Sequence, residues 1–168
     1  PRILPGMDSE VASKFNAMLA KQGLSFHLNT AVKSAKSGKA GVTLAVEDNK
    51  TGEMRDMKCD IALVAVGRTP NSQNLGLEAL GVELTAKGQI VVDADFETSV
   101  EGIFAVGDVI EGPMLAHKAE EDAVAAVEIM AGQAGHVDYD LVPGIVYTAP
   151  EIATLGATED SLKDKNID

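Results

Sequence analysis

Apolar residues recur near the start of the chain at the spacing of a helix: Val11, Phe15, Met18 and Leu19, with Gln22 completing the run. Asp8 stands where an N-cap is needed, Glu10 lies in the first turn, and Gly23 supplies the stop. The period then changes to two. Leu24, Phe26 and Leu28 alternate with polar residues, which predicts a short strand whose His27 faces water and is not a ligand. Residues 32–35 and 42–48 predict two antiparallel strands joined through Gly38 and Gly41. Asn49-Lys50-Thr51-Gly52 is a turn, and residues 53–58 return as a third strand, so 42–58 is a hairpin with a solvated face.

Residues 60–67, Asp-Ile-Ala-Leu-Val-Ala-Val-Gly, are apolar without interruption. That is the pattern of a strand covered on both faces. Gly67-Arg68-Thr69-Pro70-Asn71 breaks it, and the change of composition predicts a domain boundary there. Beyond it the pattern predicts a short helix over 75–80 ended by Gly81, a strand over 88–93 and a second buried strand over 103–106. A longer helix over 115–131 buries Ala119, Ala123, Val127 and Met130. Glu120, Glu121 and Asp122 face outward near its positive end, and Gly132 stops it. A linker over 139–144, strands over 145–147 and 152–155, and a polar helix over 158–165 complete an α/β chain.

The 168 residues suffice for one ordinary domain or parts of several. With 4% aromatics and no Trp, the core must be aliphatic. A net charge of −12 argues against nucleic acid and against an anionic membrane surface, and no apolar stretch is long enough to span a bilayer. The acidity reads as solubility, with docking onto a basic partner domain as the alternative. Cys59 is the one cysteine, so no internal disulfide forms, and its place beside an apolar run suits a small packed hydrophobe. No metal site is expected. The opening Pro1-Arg2-Ile3-Leu4-Pro5 is neither an initiator Met nor a signal peptide, and the chain is expected to be an internal piece of a longer one.

The candidate chemistry lies in residues 98–117. The strand at 103–106 runs into Gly107-Asp108, a Gly112-Pro113 turn follows, and a helix opens at 114–117. A carboxylate just past a strand accepts hydrogen bonds from sugar-like hydroxyls. A helix start beside it offers unpaired N–H groups and positive dipole to an electron-rich ring or a phosphate. Together they make half of a dinucleotide site, whose other half, a Gly-rich phosphate loop, is absent from the sequence. Alone, Gly-Asp also serves as a turn former or cap.

Five stretches in order carry a resemblance: DIALVAVGRTPN at 60–71, NLGLEALGV at 74–82, TSVEGIFAVGDV at 98–109, GPMLAHKAEEDAV at 112–124 and VYTAPEIATL at 146–155. They resemble the flavin-dependent pyridine nucleotide-disulfide oxidoreductases over essentially the whole chain. Gly112–Glu121 has the form of the dihydrolipoamide dehydrogenase branch, which PRILPGMD at 1–8 also fits, whereas glutathione, mercuric and thioredoxin reductases carry other residues after Gly-Asp. The resemblance implies a fragment of a flavoprotein with two dinucleotide-binding domains. Residues 1–69 would be the later part of a Rossmann-like NAD domain, 70–138 the central, FAD-binding segment, and 139–168 the start of an α+β dimerisation domain.

It also implies roles. Asp108 would accept a hydrogen bond from the ribityl chain of FAD, and Met114, Leu115, Ala116 and His117 would line the pyrimidine end of its ring, His117 through backbone and packing rather than proton transfer. Gly67 would let the backbone approach NAD, and Val32 would pack near its adenosine half. Arg68 is open to a phosphate contact or to a solvated turn. Such enzymes oxidise protein-bound dihydrolipoamide through a redox disulfide and FAD, and reduce NAD. The implied partners are a second copy in a homodimer and the lipoyl-bearing components of 2-oxo acid dehydrogenase complexes, in bacterial cytoplasm or mitochondrial matrix. The sequence lacks both Gly-rich loops, the paired cysteines, the acidic ribose clamp and the His–Glu acid/base pair. No catalytic residue is therefore assigned, and the chain alone is expected to be inactive. The alternatives are a non-catalytic excised or proteolytic fragment without cofactor, and a piece of another flavin disulfide reductase. The edges of the strands at 60–66 and 103–106 are expected to pair elsewhere, for example with a second chain.

Overall fold

Asp8 does what its position requires. In the computed structural model, which describes residues 2–167, its carboxylate accepts the N–H groups of Glu10 (2.9 Å) and Val11 (3.3 Å) and caps α1, Ser9–Lys21. Pro1, the first residue of the PRILPGMD stretch, and Asp168 lie outside the described residues. The inward stripe of α1 is Ala12, Phe15 and Leu19, while Val11 and Met18 are exposed, so the helix is rotated from the expected face by about one position. Gly23, at φ +98°, donates to the Ala20 carbonyl and ends it. The strand expected at 24–28 does not form. The Leu24 N–H donates to Leu19 O at 3.1 Å, closing the helix rather than opening a ladder.

The chain divides into two compact units, one running to Ala65 and taking in the segment from Ala157 onward, the other Val66–Gly156. The first holds a three-stranded antiparallel sheet of β1 (Thr30–Gly38), β2 (Gly41–Asp48) and β3 (Met54–Cys59), in that order. Gly38 pairs with Gly41 across the first turn, and Val46, the buried residue of the central strand, pairs with Val32 and Arg55. His27 lies on the exposed side, its Nδ1 3.2 Å from Arg55. Cys59 is half-buried, with its sulfur 3.8 Å from the Val42 carbonyl. A short helix near the end of the chain, α4 (Glu159–Asp164), is capped by Thr158. Its Asp160 accepts the Ser9 hydroxyl (2.9 Å) and N–H (3.0 Å) and pairs with Arg2 (3.5 Å). The Ser9 hydroxyl first, then the Ser9 amide and Arg2, hold this carboxyl below the usual carboxylate range.

The doubly covered strand expected at 60–67 is the largest departure. Ile61 is 85% exposed and Val66 94% exposed. The sheet ends at Cys59, and among the described residues no strand flanks the run. An apolar pattern states that a segment can be covered, but only a ladder partner makes it a strand.

In the second unit, α2 (Leu77–Leu80) ends at Gly81 as expected. The strands expected at 88–93 and 103–106 shrink to isolated bridges, Leu84 with Ile90, Val92 with Thr98 and Glu97 with Phe104. Around them Val82, Ile90, Phe96, Ala105 and Ile110 pack with Ala125 and Ala126 of α3, Ala116–Met130. The core is aliphatic apart from Phe96. The inward face of α3 is corrected too. Val127 and Met130 are exposed, Ala119 and Ala123 are half-buried, and the buried positions are Lys118, Asp122, Ala125 and Ala126. Asp122, expected to face water, is fully buried because Lys118 one turn earlier neutralises it. A hairpin of β4 (Gly144–Val146) and β5 (Ile152–Thr154) follows. Among the described residues no helix is long and apolar enough to cross a membrane.

Candidate functional site

Gly107 opens the site. It sits at φ +76°, where a residue with a Cβ is strained, and begins a single 3-10 turn, Gly107–Val109. The turn passes so close to α3 that a Cβ on Gly107 would lie 2.9 Å from the Cβ of Ala119. This close approach needs both small residues. It puts Asp108 beside the start of α3 in an open cleft lined by Arg68, Val106, Gly107, Asp108, Met114, Ala116 and Ala119.

Three of the seven expected site residues, Asp108, Met114 and Ala116, therefore share one cleft. Asp108 is half-buried, and its Oδ2 lies 3.6 Å from Arg68 Nη2. This pair is exposed and contributes little. Arg68 thus faces a carboxylate of its own chain. Leu115 is the N-cap of α3, but a leucine side chain cannot cap. The amides of the first turn, from Ala116 to Lys118, have no intrahelical acceptor and no side-chain substitute. His117 turns away from the cleft lining, with its Nε2 2.8 Å from the Pro143 carbonyl. A carbonyl only accepts, so Nε2 carries the proton and is closed to base chemistry. Gly67 is exposed at φ +138°, with nothing near its missing Cβ. Val32 lies exposed on β1 in the other unit. Among the described residues no cluster of His, Cys, Asp and Glu could hold a metal.

Behind the cleft lies a network around Asp122, a residue expected from its charge to face water. Lys118 and Asp122 are both 0% exposed and 2.7 Å apart. Asp122 Oδ2 also accepts the Gly107 N–H at 3.0 Å, and its Oδ1 accepts the Tyr139 hydroxyl at 2.8 Å. Lys118 Nζ donates to Gly107 O at 3.2 Å and lies 5.7 Å from the centroid of the Tyr139 ring. Gly112 lets the chain cross the lysine stem, since a Cβ there would lie 3.3 Å from Lys118 Cε. Among the described residues no buried side-chain N or O is left without a partner. A signal for this network existed: 118, 122, 125, 126 and 129 form one helical stripe, and a Lys–Asp pair at i, i+4 within an otherwise apolar stripe marks a buried ion pair.

Partial burial, and then the bond to Asp122, push the Tyr139 phenol up to about 12. Its folded value exceeds the ordinary 10, so the bond's contribution is intact below pH about 10 and is lost as pH rises toward about 12. We expect titration of tyrosinate absorbance to show a late step near pH 12 that Tyr139→Phe abolishes. A step of the wild type unchanged by the substitution would contradict the bond.

The arrangement can hold a group with hydroxyls near Asp108 and an electron-rich edge near the α3 amides. Gly107, Ala116 and Ala119 leave room for it. The residues present thus fit one wall of a flavin site.

Residues 1–123 match the family described as pyridine nucleotide-disulphide oxidoreductase. The chain is 49% identical over 166 residues to a mitochondrial dihydrolipoyl dehydrogenase of Pisum sativum, covering 99% of this chain and 33% of that protein. It is 46% identical over 164 residues to the mitochondrial dihydrolipoyl dehydrogenase of Rattus norvegicus, with 97% and 32% covered. Among solved structures, LpdA from Mycobacterium tuberculosis superposes with a TM-score of 0.85 at 27% identity, over 94% of this chain and 34% of that one. The flavoprotein disulfide reductase RclA from Escherichia coli does so with a TM-score of 0.83 at 26% identity, over 96% and 36%. The chain spans about a third of the length of the curated relatives it matches.

Proposed function

Because the chain belongs to the pyridine nucleotide-disulphide oxidoreductase family, we propose that it supplies the ribityl and pyrimidine wall of the FAD site in a dihydrolipoyl dehydrogenase. The observation that carries this reading is the cleft that places Asp108 beside the uncapped start of α3. When bound, FAD supplies the electron and hydride transfer between a dithiol, a redox disulfide and NAD. The contribution of the chain is position and charge. Asp108 accepts a ribityl hydroxyl. Met114, Leu115, Ala116 and His117 bring backbone N–H groups and apolar surface to the ring. The start of α3 favours negative charge there by about 0.3–1 kcal/mol when exposed, and by more when water is excluded.

Family membership supports the rest of the reading. Residues 1–69 contribute to NAD binding, with Gly67 at the backbone approach and Val32 near adenosine. Residues 70–138 form the central segment, and 139–168 begin the dimerisation domain. The working protein is a homodimer that serves lipoyl-bearing 2-oxo acid dehydrogenase components. Several relatives are named mitochondrial, which favours the matrix over the bacterial cytoplasm.

Segment exchange tests the proposal. The matching third of the Pisum sativum enzyme is replaced by this chain, and the product is assayed for bound flavin and dihydrolipoamide-dependent NAD reduction. Retention of both is expected. A folded exchange protein that holds no flavin overturns the reading. In that protein Asp108→Asn is expected to weaken FAD binding about tenfold, because a charge-assisted hydrogen bond becomes a neutral one, a difference of about 1–1.5 kcal/mol. Unchanged affinity removes Asp108 from the site, and the flavin reading built on it falls.

A further inference from the structure

Asp108 presents its carboxylate to an open cleft, yet among the described residues its own side chain is held only by an exposed 3.6 Å pair with Arg68. Its direction must come from the backbone. The residue before it is a glycine, the most permissive residue and the least able to hold a direction by itself. Both peptide planes that meet at Gly107 are nevertheless gripped. Asp122 Oδ2 accepts the Gly107 N–H, fixing the peptide from Val106. Lys118 Nζ donates to the Gly107 carbonyl, fixing the peptide into Asp108. Tyr139 occupies the other Asp122 oxygen, so the carboxylate cannot rotate out of register.

We propose that Lys118, Asp122 and Tyr139 are positioning residues: they clamp the Gly107 peptides and thereby set the direction in which Asp108 meets its ligand. The proposal rests on the flavin reading for the identity of that ligand, while the clamp itself rests on geometry alone. A purely stabilising role is a poor account of the pair. Two fully desolvated charges gain little over well-packed apolar residues of the same volume, and buried pairs are best understood where they select one arrangement among several. Here the arrangement selected is that of a glycine whose neighbour faces the cleft. Tyr139 also extends the clamp to the segment after α3, which is tied a second time by His117 to Pro143.

The test is a double-mutant cycle in the segment-exchange holoenzyme, stripped of flavin and titrated with FAD. Asp108→Asn and Asp122→Asn are each expected to weaken binding about tenfold, and the double variant to be close to either single one, because both act on the same contact. Tyr139→Phe is expected to weaken binding about threefold with an unchanged far-ultraviolet spectrum, and serves if Asp122→Asn does not fold. The second readout is amide hydrogen exchange in the full chain, where the Gly107 N–H should lose protection in Asp122→Asn. Losses that add, or a lower melting temperature with unchanged FAD affinity, overturn the positioning role. If Asp108→Asn leaves FAD affinity unchanged, the flavin reading falls by itself, and Gly107 exchange alone then decides the clamp.

Discussion

Lys118→Met is expected to destabilise the Val66–Gly156 unit by about 3–5 kcal/mol, the cost of leaving a buried carboxylate without its counter-ion. The side chain is fully buried and Met preserves most of its volume, so neither a cavity nor a lost surface charge explains such a loss. What remains is Asp122, buried without a counter-ion, and among the described residues its donors are then the Gly107 N–H and the Tyr139 hydroxyl. Adding Asp122→Asn should recover a large part of the loss. The amide is neutral, and its oxygen keeps one of the two acceptor sites. Recovery is incomplete because the second donor then lacks an acceptor, at about 1–3 kcal/mol. Urea unfolding of the four members of the cycle measures this through the shift in midpoint at constant slope. A single Lys118→Met variant within 1 kcal/mol of wild type, or a double variant less stable than the single, would mean that the charges are not paired in the folded chain.

That network marks the limit of what was legible in the amino-acid order. Local rules placed what local interactions decide. Asp8 and Gly23 bound α1, the Gly38–Gly41 turn and the Asn49–Gly52 turn set the three-stranded sheet, and Gly81 ends α2. Long-range pairing decided the misses. Residues 60–67 and 103–106 have the composition of buried strands, but among the described residues one lacks a flanking strand and the other holds only a bridge through Phe104. That Asp108, Met114 and Ala116 share one cleft is legible because the turn and the helix start adjoin in sequence. Tyr139 was not, since it reaches Asp122 from 17 residues away, and nothing local distinguishes it from a linker residue. The α3 face was misassigned because periodicity treats every charge as outward-facing. The lysine one turn before the aspartate, in an otherwise apolar stripe, is the signal that lets both go inside.

Gly107→Ala is expected to cost about 2–5 kcal/mol and, at the proposed flavin site, to weaken FAD binding as well, which distinguishes it from an ordinary loop substitution. Two penalties combine. The first is conformational: at φ +76° a Cβ meets its own backbone, at roughly 1–2 kcal/mol. The second is packing: the new methyl would lie 2.9 Å from Ala119 Cβ and 3.7 Å from Ala119 Cα, so the turn must lift away from α3, at a further 1–3 kcal/mol. Ala119→Gly separates them. Alone it should cost about 1 kcal/mol, as glycine does in a helix interior. Combined with Gly107→Ala it removes the methyl–methyl clash but not the backbone strain, so the double variant should be more stable than the sum of the two singles predicts. FAD affinity should recover with it, because what moved Asp108 was the lifting of the turn and not the strain at Gly107. Strict additivity of the two substitutions in urea unfolding would show that the turn does not rest on α3, and the cleft built from that contact would have to be abandoned.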